Sequence, residues 1–347
     1  MNMTDNQHSK SMTKCVFSDA EILALLQGKH DSDLFEKAYE ATLYQFDRKV
    51  FLRGIIEFSN YCINNCNYCG LRAGNKQLSR YRLSKEEILN TAKAITALGI
   101  KTIVLQSGDD YKYSARFIGD VIEKIKHHHD LRITLSLGER SFEELKYWRK
   151  LGADRYLLKM ETFDRKAFTL NRPKANFDLR LKTLFQLQEL DYQVGSGIIV
   201  DLPFTNDDTL VSDLQTLSKM NLDMIACGPF ISHPQTPWQS HVSGSLVKTH
   251  RVNAILRLMN PGANLPATSA LANLDKNGKA LAIERGCNVI MPSFTPTDYC
   301  SNYAIYPGKN ARGQTAKDNL AQTVNTIQSV HFIPSFETGD ARRSLYV

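Results

Sequence analysis

From about residue 54 onward, short runs of apolar, often β-branched residues alternate with longer segments whose apolar positions recur every three or four residues. That rhythm belongs to repeated strand-helix units, which build a parallel sheet, and not to antiparallel hairpins. Strands are predicted at residues 54–58, 101–106, 132–137, 155–158, 193–200, 223–228, 264–267 and 288–291. Helices are predicted near residues 84–98, 114–127, 141–151, 177–190, 205–220, 247–259 and 277–285, with another near 316–327. Ser84 and Glu87 have capping-box spacing: the serine hydroxyl accepts from the N3 amide and the glutamate reaches back to the serine amide. Gly99 and Gly152 follow Leu98 and Leu151, where a helix end favours a left-handed residue.

Eight such units predict an α/β fold, a complete (β/α)8 TIM-type barrel. No composition shift or low-complexity linker interrupts residues 50–310, so one catalytic domain is expected over residues 51–310. Amphipathic stretches at residues 19–26 and 33–43 predict an N-terminal helical cap over residues 19–50. Residues 1–18 read as a disordered start, and 311–347 as a C-terminal helix and tail.

With 347 residues, 42% of them hydrophobic, the chain can bury a large core. No long uninterrupted apolar stretch suits a transmembrane helix, and the start MNMTDNQHSKSMTK lacks a signal-peptide core. A cytoplasmic protein without a membrane partner is the expectation. The formal charge of +7 is spread without blocks of like charge or aromatic-basic interleaving, which describes a solvated surface and not a nucleic-acid interface.

Cysteine usage changes the picture. Three of the seven cysteines, Cys62, Cys66 and Cys69, fall within eight residues as C-x₃-C-x₂-C, directly after the first predicted barrel strand. Barrel enzymes build their sites at that end. Three thiolates can bind three irons of a four-iron four-sulfur cluster and leave the fourth iron to a chelating small molecule. A structural zinc site wants four closed ligands, and no fourth Cys or His stands at a suitable spacing. A disulfide would leave one of the three unpaired. Cys15, Cys227, Cys287 and Cys300 are scattered and read as small apolar residues.

Placed after the first strand of a barrel, this motif resembles that of the radical S-adenosylmethionine (SAM) superfamily, and the resemblance extends over about residues 50–310. It implies a 4Fe–4S cluster on the three cysteines and SAM as cosubstrate. Tyr68 matches the aromatic expected beside the SAM adenine. Ser107-Gly108-Asp109 resembles the superfamily turn that meets the methionyl ammonium, although as a tripeptide it is also an ordinary turn. Ser136 and Arg180 could hold the methionyl carboxylate and Glu161 the ribose hydroxyls; by position alone Arg180 could equally be a surface helix arginine.

A further run of segments, YCINNCNYCGLR, RYRLSKEEIL, IVLQSGDD, ITLSLGER, ADRYLLKMET, GPFISHPQTP, LPATSA, NVIMPSFTP and YPGK, resembles the HydE family of FeFe-hydrogenase maturases. That resemblance implies a closed barrel with SAM at the top and a large internal cavity that reaches toward the bottom and is able to bind anions. It also implies an organometallic substrate, a cysteine-bound iron carbonyl cyanide complex supplied by a sister maturase, with the product passing to a scaffold GTPase. Arg53, Gln106, Thr134 and Arg155 would line the cavity with Thr268, Ser269, Met291, Tyr303 and Tyr306. Without the resemblance, Met291 reads as barrel core.

The chain also departs from the family. Lys159-Met160 stands where an Arg-His pair is expected, which replaces a fork-shaped donor by a point charge and removes an imidazole. Asp201 stands in VDLP where glycine is usual, and no cysteine follows Cys300 to bind an accessory cluster. Two alternatives remain open: an enzyme resembling methylornithine synthases that acts on a small amino acid or thiol, and a non-catalytic scaffold that carries a cluster. A mutase should present paired carboxylate and ammonium receptors, and a scaffold has no need of SAM-specific side chains.

Overall fold

The computed structural model describes residues 14–310 and 315–342. Most of the start read as disordered lies outside the described residues. Its last part is a correction, because the chain is tied down from Lys14. Lys14 Nζ donates to Ser218 O at 2.6 Å, Cys15 N donates to Leu258 O at 3.0 Å, and Ser18 forms a capping box with Glu21. Helices Asp19–Leu26 and Asp31–Phe46 form the expected cap, packed on helix Leu246–Met259 and, for the first, also on Asp207–Lys219.

Six parallel strands run in the order Gly54–Ser59, Thr102–Ser107, Arg132–Ser136, Arg155–Leu157, Gln193–Ser196 and Met224–Ile225. The ring closes through single bridges: Met224 pairs with Asn264, Pro266 with Val289, and Ser293 with Ile55. The barrel is therefore complete. Helices cover it outside, and side chains such as Ile103, Leu105, Ile133 and Leu135 are fully or almost fully buried, as expected of strands covered on both faces. Capping boxes at Ser84/Glu87, Ser141/Glu144 and Thr315/Asp318 fix three helix starts, each cap contributing about 0.5–2 kcal/mol.

Three strand expectations change. The run 193–200 breaks after Ser196 because Glu161 intercepts the ladder: it donates to Gly197 O at 3.0 Å and accepts from Ile199 N at 2.9 Å. The run 223–228 breaks to match, and Ile199–Val200 pairs with Gly228–Pro229. The stretch 264–267 makes only bridges, since Pro266 lacks an amide and Leu265 N turns to Asn288 Oδ1 at 2.8 Å.

Two further strands, Lys49–Leu52 and Ile333–Ser335, pair beside Val289–Ile290 in a three-stranded parallel sheet. After the second of them the chain crosses the floor of the barrel. There Thr338 O accepts from Arg155 and Thr102, and Gly339 O from Arg53 and Asn264. Among the described residues, no helix is long and apolar enough to cross a membrane.

Candidate active site

The loop carrying Cys62, Cys66 and Cys69 leaves the C-terminal end of strand Gly54–Ser59 and is shaped by bonds to its backbone. Arg80 donates to the carbonyls of Asn60, Leu71, Arg72 and Asn75 over 2.5–3.2 Å. Ile63 N donates to Asp109 O and Gly70 N to Ile305 O, both at 3.0 Å. Gly108 lets the next loop come close: a Cβ there would meet Tyr61 O at 2.2 Å and Cys62 Cβ at 2.7 Å. Burial, then the charges of Asp109 and Cys66, push the Cys62 thiol up to about 12, and burial raises Cys66 and Cys69 as well. Such thiols give up their protons only to a strong cation such as a coordinating iron.

Behind the cysteines lies a charged cluster. Arg180 Nη1 is 2.6 Å from Glu139 Oε1, and Arg172 Nη2 is 3.8 Å from the same oxygen. Arg180 Nε donates to Lys159 O at 2.7 Å. Burial, then the Glu139 charge, raise Asp109 to about 7. Burial works against the charge on Glu139, but Arg180 and Arg172 outweigh it and hold that carboxyl at about 2. Of these two neighbouring carboxyls, Glu139 is the one the arginines hold charged.

Several buried polar atoms here have no hydrogen-bond partner: Arg180 Nη1, Arg172 Nε, Glu161 Oε2 and, across the cavity, Thr268 Oγ1. The close contacts of Arg180 to Glu139 and of Lys159 Nζ to Glu161 Oε2, 3.0 Å, are ionic without hydrogen-bond geometry. Buried polar atoms left unpaired at one place call for a physical cause, and a bound ligand supplies one at the mouth of the barrel. Glu161 is also held at φ 71°, a left-handed conformation that a glutamate rarely adopts.

All of these groups except Glu139 face one cavity of about 340 Å³. Cys62, Cys66, Cys69, Tyr68, Ser107, Gly108, Asp109, Glu161 and Arg180 line it, as do Gln106, Thr268, Ser269, Met291, Tyr303 and Tyr306. Ser269 Oγ and the Tyr306 hydroxyl are in hydrogen-bond contact. The site fits the two groups that the motif implies. The cysteines offer thiolates, Arg172 Nε an unmet donor in the same cavity, and Arg180 and Glu161 a donor and an acceptor whose contacts in the chain are ionic only. Among the described residues, no three His, Cys, Asp or Glu side chains converge to hold a single metal ion. Zinc would need its sulfurs within about 4 Å of one another, whereas a cluster takes one cysteine per iron.

The expected residues are not all together. Ser136 does not line this cavity. Thr134, Arg155 and Arg53 line a second, far smaller one at the floor, because Arg155 begins its strand and is drawn to the C-terminal tail, where it contacts Asp340 and Thr338 O. Lys159, in place of the expected arginine, pairs with Glu161, and Met160 is fully buried. Asp201 explains its own departure: it takes the left-handed conformation that glycine would favour, φ 55°, and is held there by Ser245 N and by Lys248 Nζ at 2.9 Å. Sequence reasoning missed Glu139, Arg172, Lys279 and the buried Glu57–Lys309 pair at 2.5 Å. Glu139 and Lys309 sit in the segments LGER and YPGK that carry the family resemblance, which was the available signal. Arg172 and Lys279 carry none.

Comparison with known proteins agrees with this geometry. The family model described as the Radical SAM superfamily matches residues 56–217. The FeFe hydrogenase maturase subunit HydE of Thermotoga maritima is 42% identical over 289 residues, which is 83% of this chain and 83% of that protein. A 3-methylornithine synthase of Methanosarcina acetivorans is 30% identical over 295 residues, covering 82% and 83%. In fold, the chain superposes on methylornithine synthase (PylB) with a TM-score of 0.80 at 24% identity, covering 94% of this chain and 95% of that one. It superposes on the FeFe-hydrogenase maturase HydG with a TM-score of 0.77 at 20% identity, covering 93% and 73%.

Proposed function

The chain belongs to the radical SAM superfamily and, within it, to the family of the FeFe hydrogenase maturase HydE. On that premise we propose that it acts in hydrogenase maturation on a cysteine-bound iron carbonyl cyanide complex. The observation that carries this reading is that the incompletely bonded SAM-side atoms of Arg180, Arg172 and Glu161 and the unpaired Thr268 hydroxyl face the same cavity, so that a cosubstrate and an anionic substrate can sit side by side.

In this reading Cys62, Cys66 and Cys69 bind three irons of the cluster. Arg180 offers its free N–H to the SAM carboxylate, and the Asp109–Glu139 pair meets the ammonium. Glu161 accepts from the ribose hydroxyls, and Tyr68 packs beside the adenine. The reduced cluster and SAM together supply a carbon-centred radical at the substrate. Thr268 donates to an anionic ligand of the complex, while Ser269 and Tyr306, already bonded to each other, present a second polar edge. Met291 and Tyr303 close the walls against water. A sister maturase as supplier and a scaffold GTPase as acceptor belong to the same proposal.

An amino-acid mutase is favoured by the 30% identity to 3-methylornithine synthase. It needs a carboxylate for the substrate ammonium. Asp109 and Glu161 are the carboxylates among the described residues that line the cavity, and both are committed to SAM. The test is anaerobic incubation of the reconstituted protein with SAM, reductant and the iron complex, following consumption of the complex.

A further inference from the structure

The charges lining the cavity are paired, with one exception. Asp109 lies beside Glu139, which faces Arg172 and Arg180. Lys159 faces Glu161, and Lys309 faces Glu57. Lys279 also lines the cavity, yet among the described residues it has no hydrogen bond and no ion pair. It stands at the start of helix Gly278–Glu284. Gly278 packs so closely that a Cβ there would meet Leu271 O at 2.4 Å, which sets Lys279 against the helix beginning at Ser269. Thr268, Ser269, Tyr306 and Lys309 line the same cavity, and Lys309 is close enough for its charge to act on Lys279.

A desolvated ammonium without a counter-charge is costly, and the cost is recovered when an anion joins it. Burial, then the like charge of Lys309, pull the Lys279 ammonium down to about 8. The unpaired Thr268 hydroxyl adds a donor in the same cavity. A lone lysine with hydroxyl donors suits a single carboxylate. A phosphate would call for more positive charge or a row of backbone amides.

We propose that Lys279 is the specificity-determining cation of the cavity, receiving a carboxylate of the substrate with the help of the Thr268 hydroxyl. This rests on the reading above, in which the substrate is a cysteine complex and therefore carries a carboxylate.

The test measures binding to the reconstituted, SAM-loaded enzyme of three probes: the iron complex of L-cysteine, the same complex made with cysteamine, which lacks the carboxylate, and free L-cysteine. Wild type should prefer the cysteine complex to the cysteamine complex by about ten- to a hundredfold, the range for a charge-assisted contact. Lys279→Met should lose that preference, Lys279→Arg should keep part of it, and Thr268→Val should weaken it. Iron content and SAM affinity of each variant, equal to wild type, show that the fold is intact. Undiminished preference in Lys279→Met, or no carboxylate-dependent binding of any probe by wild type, overturns the proposal. Binding of L-cysteine alone, lost in Lys279→Met, supports the role of Lys279 and overturns the iron substrate instead.

Discussion

At the floor of the barrel Arg155 finds its partners within the chain, whereas at the mouth Arg180 and Arg172 do not find all of theirs. Arg155 donates to Thr338 O, Gln193 and Thr102 and contacts Asp340; Arg53 donates to Gly339 O and Met224. Among the described residues, only Arg53 Nε and Thr134 Oγ1 stay unbonded there. Around the upper cavity Arg172 Nε and Thr268 Oγ1 stay unbonded, and Arg180 Nη1 and Glu161 Oε2 have ionic contacts only. The same residue types serve structure at one end and await ligands at the other. What separates the two roles is whether the chain itself completes the hydrogen bonds.

The sharpest break of this comparison is at the cysteines. Replacing Cys62, Cys66 or Cys69 by Ala should abolish the reducible cluster, measured as iron content and electron paramagnetic resonance after anaerobic reconstitution, and with it SAM cleavage. A variant that kept both would remove that cysteine from the ligand set. Next in size, Arg180→Ala should leave the cluster intact and weaken SAM binding by about 1.5–3 kcal/mol, the range for a hydrogen bond to a charged group. Equal SAM affinity in that variant would place Arg180 with the structural arginines of the floor.

The floor should answer in stability instead. Asp340 is held below the usual carboxylate range: burial opposes its charge, but Arg155 and Gln193 outweigh the burial. A carboxylate whose folded value is lowered stabilises fully above its unfolded value of about 3.9, and the gain fades as pH falls through the lower folded value. Asp340→Asn should therefore cost about 1–3 kcal/mol at neutral pH, toward the lower end because Asp340 is partly solvated. The difference from wild type should close in acid, as read from denaturant unfolding across pH. A pH-independent difference would mean that the loss lies in packing and not in the charge.

The smallest effect is also the finest comparison, between two threonines. Thr102 donates to Thr338 O at 2.9 Å and accepts from Arg155, so Thr102→Val should destabilise by about 1–2 kcal/mol. Thr268 has an unpaired hydroxyl, and Thr268→Val should fall within about 0.5 kcal/mol of wild type or above it. Equal costs in the two variants would erase the distinction between floor and mouth.

These particulars also show what a sequence can display. The cysteine loop, the Ser107-Gly108-Asp109 turn and the capped helices were legible because each is a local pattern with a local physical cause. The breaks near Gly197 and at Pro266 were not, since an apolar run looks the same whether its ladder continues or is taken over by Glu161 from beyond the end of strand Arg155–Leu157. Arg155 and Thr134 were expected in one cavity with Thr268 and Ser269 because nothing in a polar tail announces that Asp340 returns to the barrel floor. Lys279 resembles any lysine of an amphipathic helix until the fold turns it into a cavity without a counter-charge.

The central claim, that the upper cavity joins SAM chemistry to an iron carbonyl cyanide substrate, is tested most directly by infrared spectroscopy of the carbonyl and cyanide stretches during anaerobic turnover with SAM and reductant. The account predicts that the bands of the cysteine-bound complex disappear in step with SAM consumption. Unchanged bands while SAM is consumed with a free amino acid or thiol would contradict it and favour the mutase-like reading.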